Sequence, residues 1–316
     1  MSETAIRIGT RGSVLALAQA TTVAEAVAKV SGRAAEIVTV ATEGDHSTAS
    51  LASLGGTGVF ASALRESLIA GGCDLVVHSF KDLPTAPYPG LRIGAVPRRE
   101  DARDALCGRE GAILDDLEPG SRVGTGSPRR AAQLRGRRPD IEVVDIRGNV
   151  DTRLSRVTDG DLDAVVLAAA GLGRLGRLDA VTEFFELGRW ATAPAQGALA
   201  LEVRESSPSS LSTVLSALDH TSSRLSALAE RAVLARLEAG CAAPIGASAV
   251  VDGEMLFLTA TVYAVDGTES LTSSHALVIE GSAAERALLP AELGDRVGDE
   301  LLRLGAAELA PLGAGS

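Results

Sequence analysis

Short apolar runs alternate with segments of helical period through the first 190 residues. Residues 5–9 (AIRIG), 36–40 (EIVTV), 74–79 (DLVVHS) and 91–96 (LRIGAV) read as strands, while helical spacing covers 14–30 and 60–72, the second closed by glycines. The pattern then restarts. Strand-like runs fall at 104–107, 121–126, 141–146 and 163–170, with helices predicted from about 128 and about 150. Alternating β and α units predict mainly parallel sheets covered by helices on both faces, and two such sets predict two α/β domains. Polar, turn-rich residues 97–103 (PRREDAR) and the stretch 188–197 (GRWATAPAQG) are the predicted crossings, and 198–203 (ALALEV) is a strand that returns to the first domain.

Beyond a predicted linker at 207–212 (SPSSLS) the pattern changes. A long helix is expected over roughly 222–239, then three strand-like runs, then a helix opened by a capping box at Ser282 and Glu285. Strands flanked by helices predict a small α+β domain. The expected division is 1–98 with 198–218 as a discontinuous first domain, 99–197 as the second, and 219–316 as the third. The last residues, GAAELAPLGAGS, read as a frayed end.

Composition narrows the function. With 3% aromatic residues, the core must be built from Ala, Val, Leu and Ile. A net charge of −11 argues against non-specific nucleic-acid binding, which needs a basic face. No continuous apolar run approaches the ~18 residues of a membrane span, and residues 1–9 carry no signal-peptide pattern. The three cysteines form neither a disulfide framework nor a metal-ligand spacing, and the four histidines are scattered, so no metal site is expected. A cytoplasmic monomer is the expectation. Lys29 and Lys81 are the two lysines among 30 basic residues, so arginine is abundant on compositional grounds alone.

Against that background, the strand ends stand out. Ligands of open α/β sheets bind beyond the carboxyl ends of the strands. AIRIG leads to Arg11 and Ser13, DLVVHS to Lys81 and Asp82, SRVGTG to Ser127, Arg129 and Arg130, IEVVDI to Arg147, and DAVVLAAA to Arg174. Ser13, Ser127 and Asn149 are placed as N-caps, with Pro128 suited to a first helical position and Arg153 on the first turn after Asn149. Helix N-termini and arginine forks together suit carboxylates or phosphates. An opposite-charge pair at ~4 Å attracts by ~4 kcal/mol at an effective dielectric constant of ~20, before desolvation. Arg156 reads instead as part of a solvated helix face.

Two further residues offer chemistry. Asp82, beside Lys81, is either a loop salt bridge or a group that exchanges protons with an amine and stabilises a cation. Cys241, in a loop between Gly240 and Pro244, is either a buried small side chain or an accessible thiol nucleophile. Cys73 and Cys107 read as buried, and His78 as a packed strand residue. GLGRLG (171–176) lacks the following strand and acid that a dinucleotide site needs.

The motifs IRIGTRGSVLALAQA, TEGD, GGTGVF, LVVHSFKDLP, RVGTGSPRRAAQL, DIRGNVDTRL, LAAAGLGRLG, APAQGALALEVR and GCAAPIGASA stand in one order along the chain. In these the sequence closely resembles the porphobilinogen deaminase family, also called hydroxymethylbilane synthases. The resemblance implies two domains like periplasmic binding proteins, joined by hinge segments, and a C-terminal α+β domain. It implies head-to-tail condensation of four porphobilinogen molecules with loss of four ammonia, giving a linear tetrapyrrole. The product would be assembled on a dipyrromethane cofactor held by a thioether at Cys241. Asp82 matches the catalytic carboxylate, which would help expel ammonia, stabilise the cationic azafulvene and take up the proton lost on re-aromatisation. Ser79, Lys81, Thr125, Ser127, Arg129, Arg130, Arg147, Gly148 and Asn149 match cofactor-binding positions. Arg11, Ser13, Gln19, Arg153, Arg174 and Gln196 match substrate-binding ones, Gln196 near the hinge. Thr57 stands where many relatives have Lys, and Pro128 where an aliphatic residue is more usual. The alternative is a non-catalytic carboxylate-binding module on the same two-lobed scaffold, which would need neither Asp82 nor Cys241.

Overall fold

β1 (Ile6–Thr10), α1 (Val14–Ser31), β2 (Ala35–Thr39), α2 (Val59–Ile69), β3 (Leu75–Ser79) and β4 (Leu91–Ala95) open the chain. The computed structural model describes residues 5–41, 59–239 and 243–312, so Thr57 and Cys241 lie outside the described residues. The second set comprises β5 (Asp104–Gly108), β6 (Arg122–Gly124), α3 (Pro128–Arg137), β7 (Glu142–Val144), α4 (Val150–Thr158), β8 (Ala164–Ala168), α5 (Ala169–Arg174) and β9 (Glu183–Phe184). Next come β10 (Leu199–Arg204), α6 (Ser209–Leu218) and α7 (Thr221–Arg236), then β11 (Ile245–Asp252), β12 (Met255–Tyr263), β13 (Ser270–Val278), α8 (Ala283–Arg303) and α9 (Ala306–Leu309).

The first sheet has the order β2-β1-β3-β10-β4 and the second β7-β6-β8-β5-β9. In each, four strands share one direction and a fifth runs against them. β1 runs parallel to β2 and β3, but β10 is antiparallel to both β3 and β4. Likewise, β6 is parallel to β7 and β8, whereas β5 is antiparallel to β8 and β9. The cause is the connectivity: each antiparallel strand enters from the other lobe, against the direction set by the local βα units.

Period-2 alternation distributes the core. On one face, Ile6, Ile8, Leu75, Val77, Leu201 and Val203 pack against Val23 and Val27 of α1 and Leu211 and Leu215 of α6. Val76 faces the other way, toward Leu64, Leu68 and Cys73. The predicted linker at 207–212 is corrected by this arrangement. It leads into α6, whose Leu211, Val214 and Leu215 cover the sheet. Helix α1 is 18 residues long with mean hydropathy 1.2, long and apolar enough to meet the length of a membrane span although no unbroken apolar run is present. Its Gln19, Ala20, Val23 and Val27 are buried in the fold.

β11-β12-β13 form an antiparallel sheet whose inner face, with Leu256, Leu258, Ala260 and Val262, packs on Val233 of α7 and Leu293, Val297 and Leu301 of α8. The chain end is not frayed as far as residue 312, because Ala306 and Ala310 are buried against this core. The capping box is present, with Ser282 accepting from the Glu285 N–H and Glu285 from the Ser282 N–H. Ser282→Ala is expected to lower stability by about 1 kcal/mol, read as a lowered urea midpoint with unchanged slope.

The two crossings run side by side, with the Glu100 N–H donating to the Gly197 carbonyl at 3.3 Å. Gly197 has φ 85°, and a Cβ there would lie 2.6 Å from the Glu100 carbonyl oxygen, so this approach requires glycine. Ala195 adopts φ 61°, a left-handed conformation that costs an L-residue energy. Its N–H is held at 2.6 Å by the fully buried Glu230 of α7, which also pairs with Arg99 at 2.7 Å.

Candidate functional site

At the carboxyl end of β1 the chain turns through Arg11 into α1, with Ser13 accepting a hydrogen bond from the Ala16 N–H at 3.3 Å. β3 ends at Ser79, whose hydroxyl accepts from Gln19 Nε2 at 2.9 Å and donates to Gln19 Oε1 at 3.1 Å. A short helical turn, Phe80–Asp82, follows. Arg11, Ser13, Gln19, His78, Ser79 and Asp82 thus line one recess of about 100 Å³. Asp82 is exposed. A larger cavity of about 500 Å³, bordered by Arg7, Arg33, Asp74 and Arg204, opens at the opposite end of the sheet, where β1 begins.

The second lobe supplies most of the cations. Ser127 caps α3, its hydroxyl accepting from the Arg130 N–H at 3.5 Å, Pro128 takes the first helical position, and Thr125 Oγ1 accepts from the Ser127 N–H at 3.3 Å. Asn149 caps α4 through the Thr152 N–H at 2.8 Å, while Gly148, at φ 107°, offers its carbonyl to Arg153 Nε at 2.9 Å. Arg174 Nη2 donates to the Gly197 carbonyl at 2.6 Å, within the second crossing. Arg156 pairs with Asp161 at the surface.

The residue that sequence reasoning missed is Asp104. It is fully buried and receives Arg129 Nη1 at 2.9 Å, Arg130 Nη2 at 2.5 Å, Trp190 Nε1 at 2.8 Å and Gln196 Nε2 at 2.8 Å. Burial alone would raise its pKa, but the Arg129 and Arg130 guanidiniums hold the carboxyl well below the usual range. Arg129 and Arg130 are themselves buried, at 3% and 5% exposure, so they form the wall of the site and do not project freely from it. Gln196, read as a substrate contact, is fully buried. Its Oε1 accepts from Lys81 Nζ at 3.3 Å and Arg130 Nη2 at 3.4 Å, which ties the first-lobe lysine to the second-lobe cluster. His78 is a packed strand residue, but its Nε2 also donates to Glu202, a buried carboxylate on β10 that Arg65 of α2 grips at 2.9 Å. The only sequence signal for Asp104 and Glu202 was an acid within an apolar strand.

The cations of this wall crowd one another. Burial lowers the Lys81 pKa, with Asp82 opposing and Arg130 adding to the effect. Burial also lowers Arg153, and the charges of Arg130 and Arg147 lower it further. Among the described residues, Arg130 Nε and Arg147 Nε are buried donors without a hydrogen-bond acceptor. Unsatisfied buried donors and clustered cations suit a ligand bearing several carboxylates, the chemistry of a dipyrromethane with acetate and propionate arms. Cys73 and Cys107 are buried, and burial pushes the Cys107 thiol up to about 12, so neither is a reactive thiol.

Fold and site together define a two-lobed α/β protein with a wall of clustered cations where the lobes meet and a third, α+β unit at the C-terminus. Residues 6–212 match the family model "Porphobilinogen deaminase, dipyromethane cofactor binding domain", and residues 224–303 match "Porphobilinogen deaminase, C-terminal domain". The porphobilinogen deaminase of Leifsonia xyli subsp. xyli is 61% identical over 312 residues, 98% of this chain and 95% of that one. That of Nocardia farcinica is 51% identical over 315 residues, 97% of this chain and 88% of that one. Among solved structures, a Salmonella typhimurium periplasmic binding protein with high arginine specificity is 16% identical at a TM-score of 0.38, covering 68% of this chain and 92% of that one. The chain belongs to the porphobilinogen deaminase family. It is a transferase of tetrapyrrole biosynthesis that condenses four porphobilinogen molecules, with release of four ammonia, into hydroxymethylbilane on a dipyrromethane cofactor.

Proposed function

We propose that the recess around Asp82 is where this condensation occurs and that Cys241 anchors the cofactor. The observation that carries this reading is the two buried guanidinium nitrogens without a hydrogen-bond acceptor, Arg130 Nε and Arg147 Nε (the latter 3.8 Å from Asp145), set among cations depressed by burial and by one another. When bound, the dipyrromethane supplies the free pyrrole carbon onto which substrate units add. Ser79, Lys81, Thr125, Ser127, Arg129, Arg130, Arg147, Gly148 and Asn149 hold its carboxylates and polar edges. Arg11, Ser13, Gln19, Arg153 and Arg174 receive the acetate and propionate arms of incoming substrate. Gln196 acts from the hinge, keeping Lys81 beside the arginine pair. Asp82 hydrogen-bonds the substrate aminomethyl group, stabilises the azafulvene cation left as ammonia departs, and accepts the proton lost on re-aromatisation. One carboxylate serves these roles in turn, because ammonia leaves with the proton of the substrate ammonium before the new bond forms and the ring carbon gives up its proton.

The division into residues 1–98 with 198–218, 99–197 and 219–316 belongs to the same proposal, supported by the return of β10 to the first sheet. So does a cytoplasmic monomer acting on a small molecule, without membrane or nucleic acid as partner, the last supported by the net charge of −11. The test is the intact mass of the purified protein beside its Cys241→Ser variant. The parent is expected to carry extra mass equal to two porphobilinogen units less two ammonia, and the variant none. An unmodified parent that stays unmodified after incubation with porphobilinogen removes Cys241 from the site.

A further inference from the structure

Arg231 lies on the buried face of α7 with 7% exposure. A guanidinium taken out of water needs acceptors placed for it. Its Nη1 donates to the Phe80 carbonyl at 2.8 Å and its Nη2 to the Pro84 carbonyl at 2.7 Å. The plane of the group also lies over the Phe80 ring, with Cζ 4.6 Å from the centroid. These two carbonyls bracket the segment that holds Lys81 and Asp82. The segment is also tied by the Phe80 N–H to the Ala198 carbonyl at 3.0 Å, by the Leu83 N–H to the Phe80 carbonyl at 3.3 Å and by Lys81 Nζ to Gln196 Oε1 at 3.3 Å. One side chain from the far end of the sequence therefore closes both ends of the turn that presents Asp82.

The helix that provides this clamp ends at Arg236, and Cys241 stands five positions further along the sequence. We infer that Arg231 is a positioning residue, linking the turn that carries the catalytic carboxylate to the helix leading to the cofactor's anchor. The inference rests on the assignment of Asp82 and Cys241 made above. Arginine is required because a planar fork reaches two carbonyls while stacking on a ring, whereas an ammonium on a flexible stem does not.

The experiment compares Arg231→Lys with the parent, each brought to full cofactor loading as judged by intact mass. The expected result is an unchanged adduct, KM within about twofold, and kcat lower by about 10–100-fold, the scale of a catalytic group displaced by ~1 Å. Hydrogen exchange gives a readout independent of turnover: amides of 80–83 should exchange faster in the variant while those of α7 and β10 stay protected. Parental kcat at full loading, or unchanged exchange at 80–83, overturns the inference. Loss of the adduct in the variant also overturns it, since Arg231 would then act in loading. Asp82→Ala, run alongside, separates the two ideas. Turnover retained in that variant overturns the reading of Asp82 and this role with it, whereas an inactive Asp82→Ala beside a fully active Arg231→Lys overturns the Arg231 role alone.

Discussion

Asp82→Ala is expected to fold, to carry the same covalent adduct as the parent, and to lose about 10²–10⁴-fold in kcat. Asp82 is exposed at the edge of its recess, so removing it empties no core and takes from Lys81 only one opposing charge. The structural cost of such a surface change is within about 0.5 kcal/mol. The loss should therefore be catalytic. Lys81 stays in place in the variant through Gln196, so cofactor carboxylates remain held while proton transfer fails. The measurement is single-turnover release of ammonia by loaded protein, with circular dichroism and intact mass as controls. Near-parental release would sink the assignment of Asp82.

Asp104→Asn is expected to produce the largest loss of stability. The substitution keeps shape but leaves Arg129 and Arg130 buried beside each other without their shared anion. Removing one partner of a buried ionic cluster costs about 3–5 kcal/mol. The pH dependence follows from the sign of the shift. Asp104 is depressed in the folded state, so its contribution is fully present above the unfolded carboxylate pKa of ~3.9 and is lost as pH falls through the lower folded value. The stability gap between parent and variant should be flat from pH 7 to about 5 and should narrow only below about 4. Urea titrations at several pH values measure it. Equal midpoints at pH 7 would mean that Trp190 and Gln196, not charge, hold the cluster.

What could be read from the sequence was local. The caps at Ser13, Ser127, Asn149 and Ser282 each lie within three residues of the N–H they serve, so residue type and spacing suffice. The strand ends that carry Arg11, Lys81, Asp82 and Arg147 were legible for the same reason. Asp104 was not, because its partners lie at 129, 130, 190 and 196 and meet only when the second sheet and the second crossing are in place. The burial of Arg129 and Arg130 was hidden with it. In sequence they are two more arginines in an arginine-rich chain; in the fold they are the counter-charge of a carboxylate no local pattern announces. The antiparallel course of β5 and β10 was equally non-local. A run such as ALALEV specifies a strand, but its direction is set by where the chain has been. Ser207 to Ser212 read as a linker because serine and proline dominate it, and the apolar positions that make it a helix, Leu211, Val214 and Leu215, lie mostly beyond it.

The place of β10 has a consequence for how the protein is made. A ribosome delivers β3 early, yet the neighbour that completes the sheet beside it is more than a hundred residues further along. Until Arg204 has left the exit tunnel, β3 carries an unpaired edge and Glu202 has not yet reached Arg65 and His78. The second sheet, by contrast, is contiguous from Asp104 to Phe184 and can close while the first is still open. Synthesis thus imposes an order, later lobe before earlier one. The nascent chain must keep an apolar strand edge from pairing with its neighbours on the polysome for as long as that order takes to play out.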